Sequence, residues 1–140
     1  MTNTLITGGN SGIGFETARA LAAQGHDLII TSRSHAAAVA AASRIIAESP
    51  AAIVHPLTLD LSDFHSVRTF AAAARDLLPV LDIAIFNAGV MAPPYEQTSD
   101  GFELQFQANY LGHFQLYLLL REALLAAGRS KVINLSLIHI

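Results

Sequence analysis

The chain has 140 residues, 52% of them hydrophobic and 14% charged, with a net charge of -3. That length holds one domain, and high apolar content with low net charge excludes a disordered chain. A pI near 6.0 and scattered cations, with Lys131 as the single lysine, leave no basic field for nucleic acid.

The absence of cysteine excludes disulfide, thiolate and Cys-ligated zinc chemistry, and it suits a reducing cytoplasm. Thr2-Asn3-Thr4 carry none of the positive charge of a secretory leader, and an apolar strand begins at once.

Thr4 to Thr7 form a short apolar run that ends in glycines, and a helix is expected from Gly12 to Gln24, stopped by Gly25. Asp27 to Thr31 is a second buried strand. His35 to Glu48 is a helix with Ser34 as N-cap. Ala52 to Leu59 is a third strand, where Pro56 either argues against strand or places it at a sheet edge. A helix follows from Ser62-Asp63 to Leu78, then a strand from Leu81 to Phe86 and a Pro-containing loop from Met91 to Thr98. One long helix is expected from Asp100 to Ala127, and a fifth strand from Lys131 to Leu135.

Within the greasiest stretch, Leu111 to Leu125, His113, Gln115, Arg121 and Glu122 break up the ~20 apolar residues a membrane span needs. The chain reads as soluble. Near-continuous apolar strands alternating with helices imply a parallel sheet covered on both faces, a doubly wound α/β fold of Rossmann type.

Between the first strand and the first helix stands Thr7-Gly8-Gly9-Asn10-Ser11-Gly12-Ile13-Gly14. Phosphate binding at a helix N-terminus needs a tight turn, exposed backbone N–H groups and no obstructing side chains. Gly8 can take the turn, Gly12 can admit a pyrophosphate, and Gly14 can let helix pack on strand. Phe15 follows Gly14 where a nucleotide triphosphatase would need Lys, so a dinucleotide is the expected ligand. The second strand ends Thr31-Ser32-Arg33, with no acid to take a ribose 2′-OH. Arg33 can pair with a 2′-phosphate and Ser32 adds a hydroxyl donor, so NADP is expected in preference to NAD.

With these residues the chain resembles the short-chain dehydrogenase/reductase family. The glycine turn matches its Thr-Gly-x-x-x-Gly-x-Gly loop, and Asp60-Leu61 follows the third strand where the family places an aspartate against adenine. Asn87-Ala88-Gly89 matches the family's Asn-Ala-Gly at the cofactor cleft, and Asn109 matches its active-site helix asparagine. Thr98 to Glu103 and Asn109 to Phe114 are most similar to a branch with retinol-dehydrogenase-like and WW-domain-oxidoreductase-like members. The resemblance implies hydride transfer between NADP(H) and a lipophilic alcohol or carbonyl substrate, and a homo-oligomer built partly on the helix after Asn109. The plain alternatives are a helix-start aspartate for Asp60, a strand-ending turn for Asn87 to Gly89, and a satisfied helix polar group for Asn109. Asn109 shares a helix face with Gly112 and Leu116, and Gly112 permits close packing there.

Such enzymes are understood to use a tyrosine as acid/base, a lysine four residues on that lowers its pKa, and a serine that orients the carbonyl. No Tyr-x-x-x-Lys exists here; Tyr117 has Arg121 at that spacing, read as packing and surface residues. Ser136 aligns with the first of the family's paired serines and is the one serine candidate, while Leu137 occupies the catalytic position.

The run Leu135 to Ile140 is what CTG-TCT-CTT-ATA-CAC-ATC encodes, which resembles a transposon-end sequencing adapter. A native cofactor-binding domain over residues 1–134, followed by a foreign hexapeptide, is therefore expected; the plain alternative is a genuine divergent or truncated protein ending. Such a chain would be an inactive fragment with an exposed fifth strand. The histidines form no H-x₃-H or H-E-x-x-H pattern, so no metal site is expected, and His113 is read as a surface or packing residue. The alternative from another class is a non-catalytic dinucleotide-binding regulator or redox sensor.

Overall fold

The computed structural model describes residues 1–136. Expectations placed on residues 137–140, including Leu137 at the catalytic serine position, lie outside them. The strands are β1 (Asn3–Ile6), β2 (Asp27–Ser32), β3 (Ile53–Thr58), β4 (Ile83–Phe86) and β5 (Lys131–Asn134). The helices are α1 (Gly12–Ala23), α2 (His35–Glu48), α3 (Phe64–Leu77), α4 (Leu104–Phe106) and α5 (Gly112–Ala126), with a π-helical turn, Gln107–Leu111, joining the last two.

All neighbouring strands pair in parallel, in the order β3-β2-β1-β4-β5. Pro56 sits on the edge strand β3, where a missing N–H is tolerated. The order in which successive strands are added reverses between β1 and β4, so loops from their carboxyl ends part and leave a crevice there.

Successive strand residues face opposite sides, and both sides are covered. Leu5, Ile29, Ala84 and Phe86 pack with Val67 and Phe70 of α3 and Leu116 and Leu120 of α5. Ile6, Leu28, Ile30 and Ile85 pack with Phe15 and Ala18 of α1 and Ala41 and Ile45 of α2. This two-sided burial explains why the strands read as unbroken apolar runs. Ser34 caps α2 by accepting the Ala37 N–H. Residues of β5 are exposed throughout. Among the described residues, no helix is long and apolar enough to cross a membrane.

One expectation fails. The helix does not begin at Asp100. Gly101 has φ +88°, Thr98 N–H donates to Phe102 O, and helical backbone starts only after Glu103. The Glu103 carboxylate accepts from Gln105 N–H and Phe106 N–H, which makes it the N-cap. Asp100 Oδ2 instead accepts from Phe64 N–H at the start of α3 (2.8 Å) and from buried Gln107 Nε2 (2.6 Å). Those bonds, the Phe64 N–H first, hold the Asp100 pKa below its ordinary value. The segment before α4 is thus tied to α3, which fixes where the next helix enters.

Candidate active site

The turn after β1 is built by close backbone approach. Gly8 (φ +68°) and Gly12 (φ +54°) adopt left-handed backbone that other residues reach only with strain. Thr31 of β2 holds the turn from one side: its Oγ1 accepts from Gly8 N–H (3.1 Å) and its carbonyl from Gly9 N–H (3.0 Å). Asn87, at the end of β4, holds it from the other, its Nδ2 donating to Thr7 O (2.9 Å) and Gly8 O (3.2 Å). A Cβ on Gly14 would stand 2.2 Å from Gly8 O and 2.4 Å from Asn87 Nδ2, and one on Gly9 2.8 Å from Ile30 Cβ. Gly14 is therefore demanded by the approach of α1 to the turn. Gly9 is demanded too, by its contact with β2, a role that nothing in the local sequence announces.

Every expected cofactor residue except Gly12 lines one cavity of ≈ 400 Å³, and Gly12 lies on the turn beside it. Ser11 precedes α1 and makes no side-chain cap bond, so no cap side chain competes for the first-turn N–H groups, which lack helical partners. With no acidic residue in that turn, the positive end of the helix dipole is uncompensated.

Arg33 is exposed at the rim and makes no ion pair among the described residues. Ser32, nearly buried, accepts Ser34 N–H on its Oγ and keeps its own hydroxyl proton to donate. Asp60 Oδ1 accepts from Ser62 N–H and Oγ–H (2.9 and 2.6 Å), which shapes the loop that carries Leu61. A Cβ on Gly112 would meet Leu61 O at 2.4 Å, so α5 touches that loop directly and the expected close packing at Gly112 is present.

A second cavity, ≈ 700 Å³, meets the first at Asn87 and Ala88 and is walled by Phe86, Tyr110, Phe114, Tyr117, Val132 and Leu135. Asn109 and Ser136 also reach it. Both polar atoms of the Asn109 side chain bind Val90: Oδ1 accepts Val90 N–H and Nδ2 donates to Val90 O, both at 2.8 Å. Its grip fixes the loop that follows Asn87-Ala88-Gly89, and its backbone carbonyl is the group turned toward His113 (3.1 Å).

His113 is buried rather than on the helix surface. It stacks on Phe86 and lies 2.8 Å from Thr7 Oγ1. Thr7 and His113 were missed as site residues because they meet across 106 positions of sequence. Tyr117 lies on the cavity wall and Arg121 is exposed. Among the described residues, no group of three or more His, Asp or Glu side chains is placed to hold a metal ion.

The arrangement is an elongated cleft with an anion-seeking turn in its middle, a free guanidinium at one end and an apolar chamber at the other. Comparison with known proteins gives the same direction. A family model described as short chain dehydrogenase matches residues 2–139. Retinol dehydrogenase 12 of Mus musculus is 46% identical over 132 residues, covering 94% of this chain and 42% of the relative. The WW domain-containing oxidoreductase of Homo sapiens is 42% identical over 132 residues, covering 94% of this chain and 32% of the relative. The chain thus spans less than half the length of these curated relatives. A short-chain dehydrogenase from Sphingobium yanoikuyae, solved in complex with NADPH, superposes with a TM-score of 0.79 at 28% identity, covering 94% of this chain and 52% of that one.

Proposed function

Because the chain belongs to the short-chain dehydrogenase family, we propose that it forms the cofactor-binding part of an oxidoreductase that transfers hydride between NADP(H) and an alcohol or carbonyl substrate. The single observation that carries this reading is the Gly14 cradle. A Cβ there would overlap Gly8 O at 2.2 Å, so the turn and the bare helix start are held together at the one place where backbone N–H groups must converge on a pyrophosphate. NADPH, when bound, supplies the hydride.

The chain's own residues divide the binding. Amides of Ser11 to Gly14 face the diphosphate, Ser32 and Arg33 take the 2′-phosphate, and Asp60-Leu61 border the adenine. Asn87 to Gly89 line the passage into the second chamber. Its aromatic and aliphatic walls suit a lipophilic carbonyl, excluding water from the place where charge develops. The Asn109 side chain positions Val90 beside the nicotinamide end, and Ser136 borders the chamber without standing at the orienting serine's place. The protein acts as a homo-oligomer in the cytoplasm.

An alkoxide formed by hydride transfer needs a proton donor with a tuned pKa, and the Tyr-x-x-x-Lys pair is not among these 140 residues. We propose that the product of the complete reading frame consumes NADPH with long-chain or retinoid aldehydes, whereas residues 1–140 alone consume none. Measuring loss of reduced cofactor absorbance for both proteins tests this. Turnover by the 140 residues alone would remove the tyrosine–lysine requirement, and binding without turnover by the complete product would favour a redox sensor.

Cofactor choice has its own test. Arg33→Asp replaces a charge-assisted phosphate contact of about 1.5 to 3 kcal/mol by repulsion, so NADPH affinity should fall by roughly tenfold or more relative to NADH. Unchanged discrimination would take Arg33 out of the site.

A further inference from the structure

The buried imidazole of His113 has a determined hydrogen-bonding state. Thr7 Oγ1 lies 3.0 Å from both Asn87 N and Ala88 N, two donors, and 2.8 Å from His113 Nε2. A hydroxyl has one proton and two acceptor lone pairs. The two amides fill the lone pairs, so the hydroxyl proton goes to Nε2, which must be bare. Nδ1 then carries the ring hydrogen, and it faces Asn109 O at 3.1 Å, an atom that can only accept. Both ends of the ring specify the same species, the neutral Nδ1–H tautomer.

Thr7 is the last residue before the glycine turn, and its own carbonyl is held by Asn87. One hydroxyl therefore joins three pieces of the cleft: the turn, the Asn87-Ala88 strand end and α5. We propose that His113 is a positioning residue for dinucleotide binding, acting through the Thr7 hydroxyl to set the glycine turn against Asn87-Ala88. This rests on the dinucleotide reading above and adds a residue outside the expected cofactor set.

The tie depends on pH. A protonated ring would aim Nε2–H at a hydroxyl whose lone pairs are both occupied, so the bridge cannot persist in its present form. Burial, opposed by the hydrogen bond to Asn109 O, holds the His113 pKa below its ordinary value. The groups around the ring are Thr7 just after β1, Phe86 of β4 with Asn87 and Ala88 directly after it, and Asn109 from the π turn. Tyr110, Phe114, Tyr117, Val132, Asn134, Leu135 and Ser136 share its cavity. Only the two tyrosines among these titrate, and none is a carboxylate or a cation. Since the native pKa is lowered, the contribution to stability is complete above the unfolded value of about 6.5 and is lost as pH falls below it toward the native pKa.

The experiment uses the product of the complete reading frame, titrated with oxidised NADP between roughly pH 5 and pH 8, as wild type, His113→Leu and His113→Gln. Losing the bridge should weaken binding by roughly three- to tenfold in His113→Leu near pH 7.5, the range of one net hydrogen bond. In His113→Gln the Oε1 stands near the place of Nε2 and can accept the Thr7 hydroxyl without titrating. Affinity should return toward wild type, and the weakening seen in wild type at acid pH should disappear. Wild-type affinity in His113→Leu overturns the inference. So does a His113→Gln variant that keeps the wild-type acid profile, and that outcome is decisive even if the leucine variant does not fold. Absence of saturable binding by wild type at every pH overturns the dinucleotide reading itself and this inference with it.

Discussion

Gly14→Ala is expected to abolish measurable cofactor binding and to lower the melting temperature. The added Cβ would fall about 1 Å inside ordinary contact with Gly8 O and Asn87 Nδ2. Both are fixed, because Asn87 already bridges the carbonyls of Thr7 and Gly8. Helix α1 must therefore move away from the turn, and such overpacking costs about 1 to 3 kcal/mol or more. Its first-turn amides move with it. Losing two charge-assisted N–H bonds at about 1.5 kcal/mol each weakens a phosphate ligand by more than roughly a hundredfold. Gly25→Ala is the control. Gly25 also has a left-handed backbone (φ +81°), but nothing stands within 4 Å of its added Cβ. It should cost about 1 kcal/mol of backbone strain and leave binding unchanged. Equal loss of affinity in the two variants, measured by calorimetric titration, would separate cofactor binding from the packing of α1 on the turn.

Gly112→Ala should be the second most damaging substitution. The Cβ would meet Leu61 O at 2.4 Å and Leu61 Cβ at 2.9 Å, and Leu61 itself is buried and part of the cofactor cavity. Gly112 follows directly on the π turn that carries Asn109. Pushing α5 outward therefore disturbs the Asp60-Leu61 loop and the Asn109 grip on Val90 together. A loss of about 1 to 3 kcal/mol in stability, read as a lowered denaturant midpoint, should accompany weaker cofactor binding. Gly128→Ala, in open space with φ +71°, should show the strain without the binding defect.

The two glycine cases show which parts of this protein are legible in sequence. Glycines in a strand-to-helix turn announce a backbone that needs unusual angles or close approach, and Gly8, Gly12 and Gly14 follow that rule. Pro56 is a local signal of the same kind: it allows either no strand or an edge strand, and the edge is what the sheet order shows. Unbroken apolar runs with β-branched residues gave the parallel sheet, because both faces are covered.

Contacts made across the fold were not legible. Thr7 has the look of an ordinary strand residue, yet its hydroxyl collects two amides and an imidazole from segments about 80 and 106 positions away. Thr31, which pins the turn through Gly8 N–H, carries no local sign of that task. His113 sits among apolar helix residues and is read as packing until the partner at Thr7 is known. The misplaced helix start has a similar origin. Asp100 has the chemistry of a helix-start residue, but it accepts the first N–H of α3, a helix capped by Asp63, while Glu103 caps the helix that follows Asp100 in the chain.

Cofactor binding of the proposed kind requires a diphosphate held by amides at the start of α1, with Arg33 receiving a further phosphate. The most direct measurement is a calorimetric titration of the complete reading frame's product with NADPH and, separately, NADH. Saturable one-to-one binding with NADPH the tighter ligand is the predicted result. No saturation with either nucleotide would contradict the account.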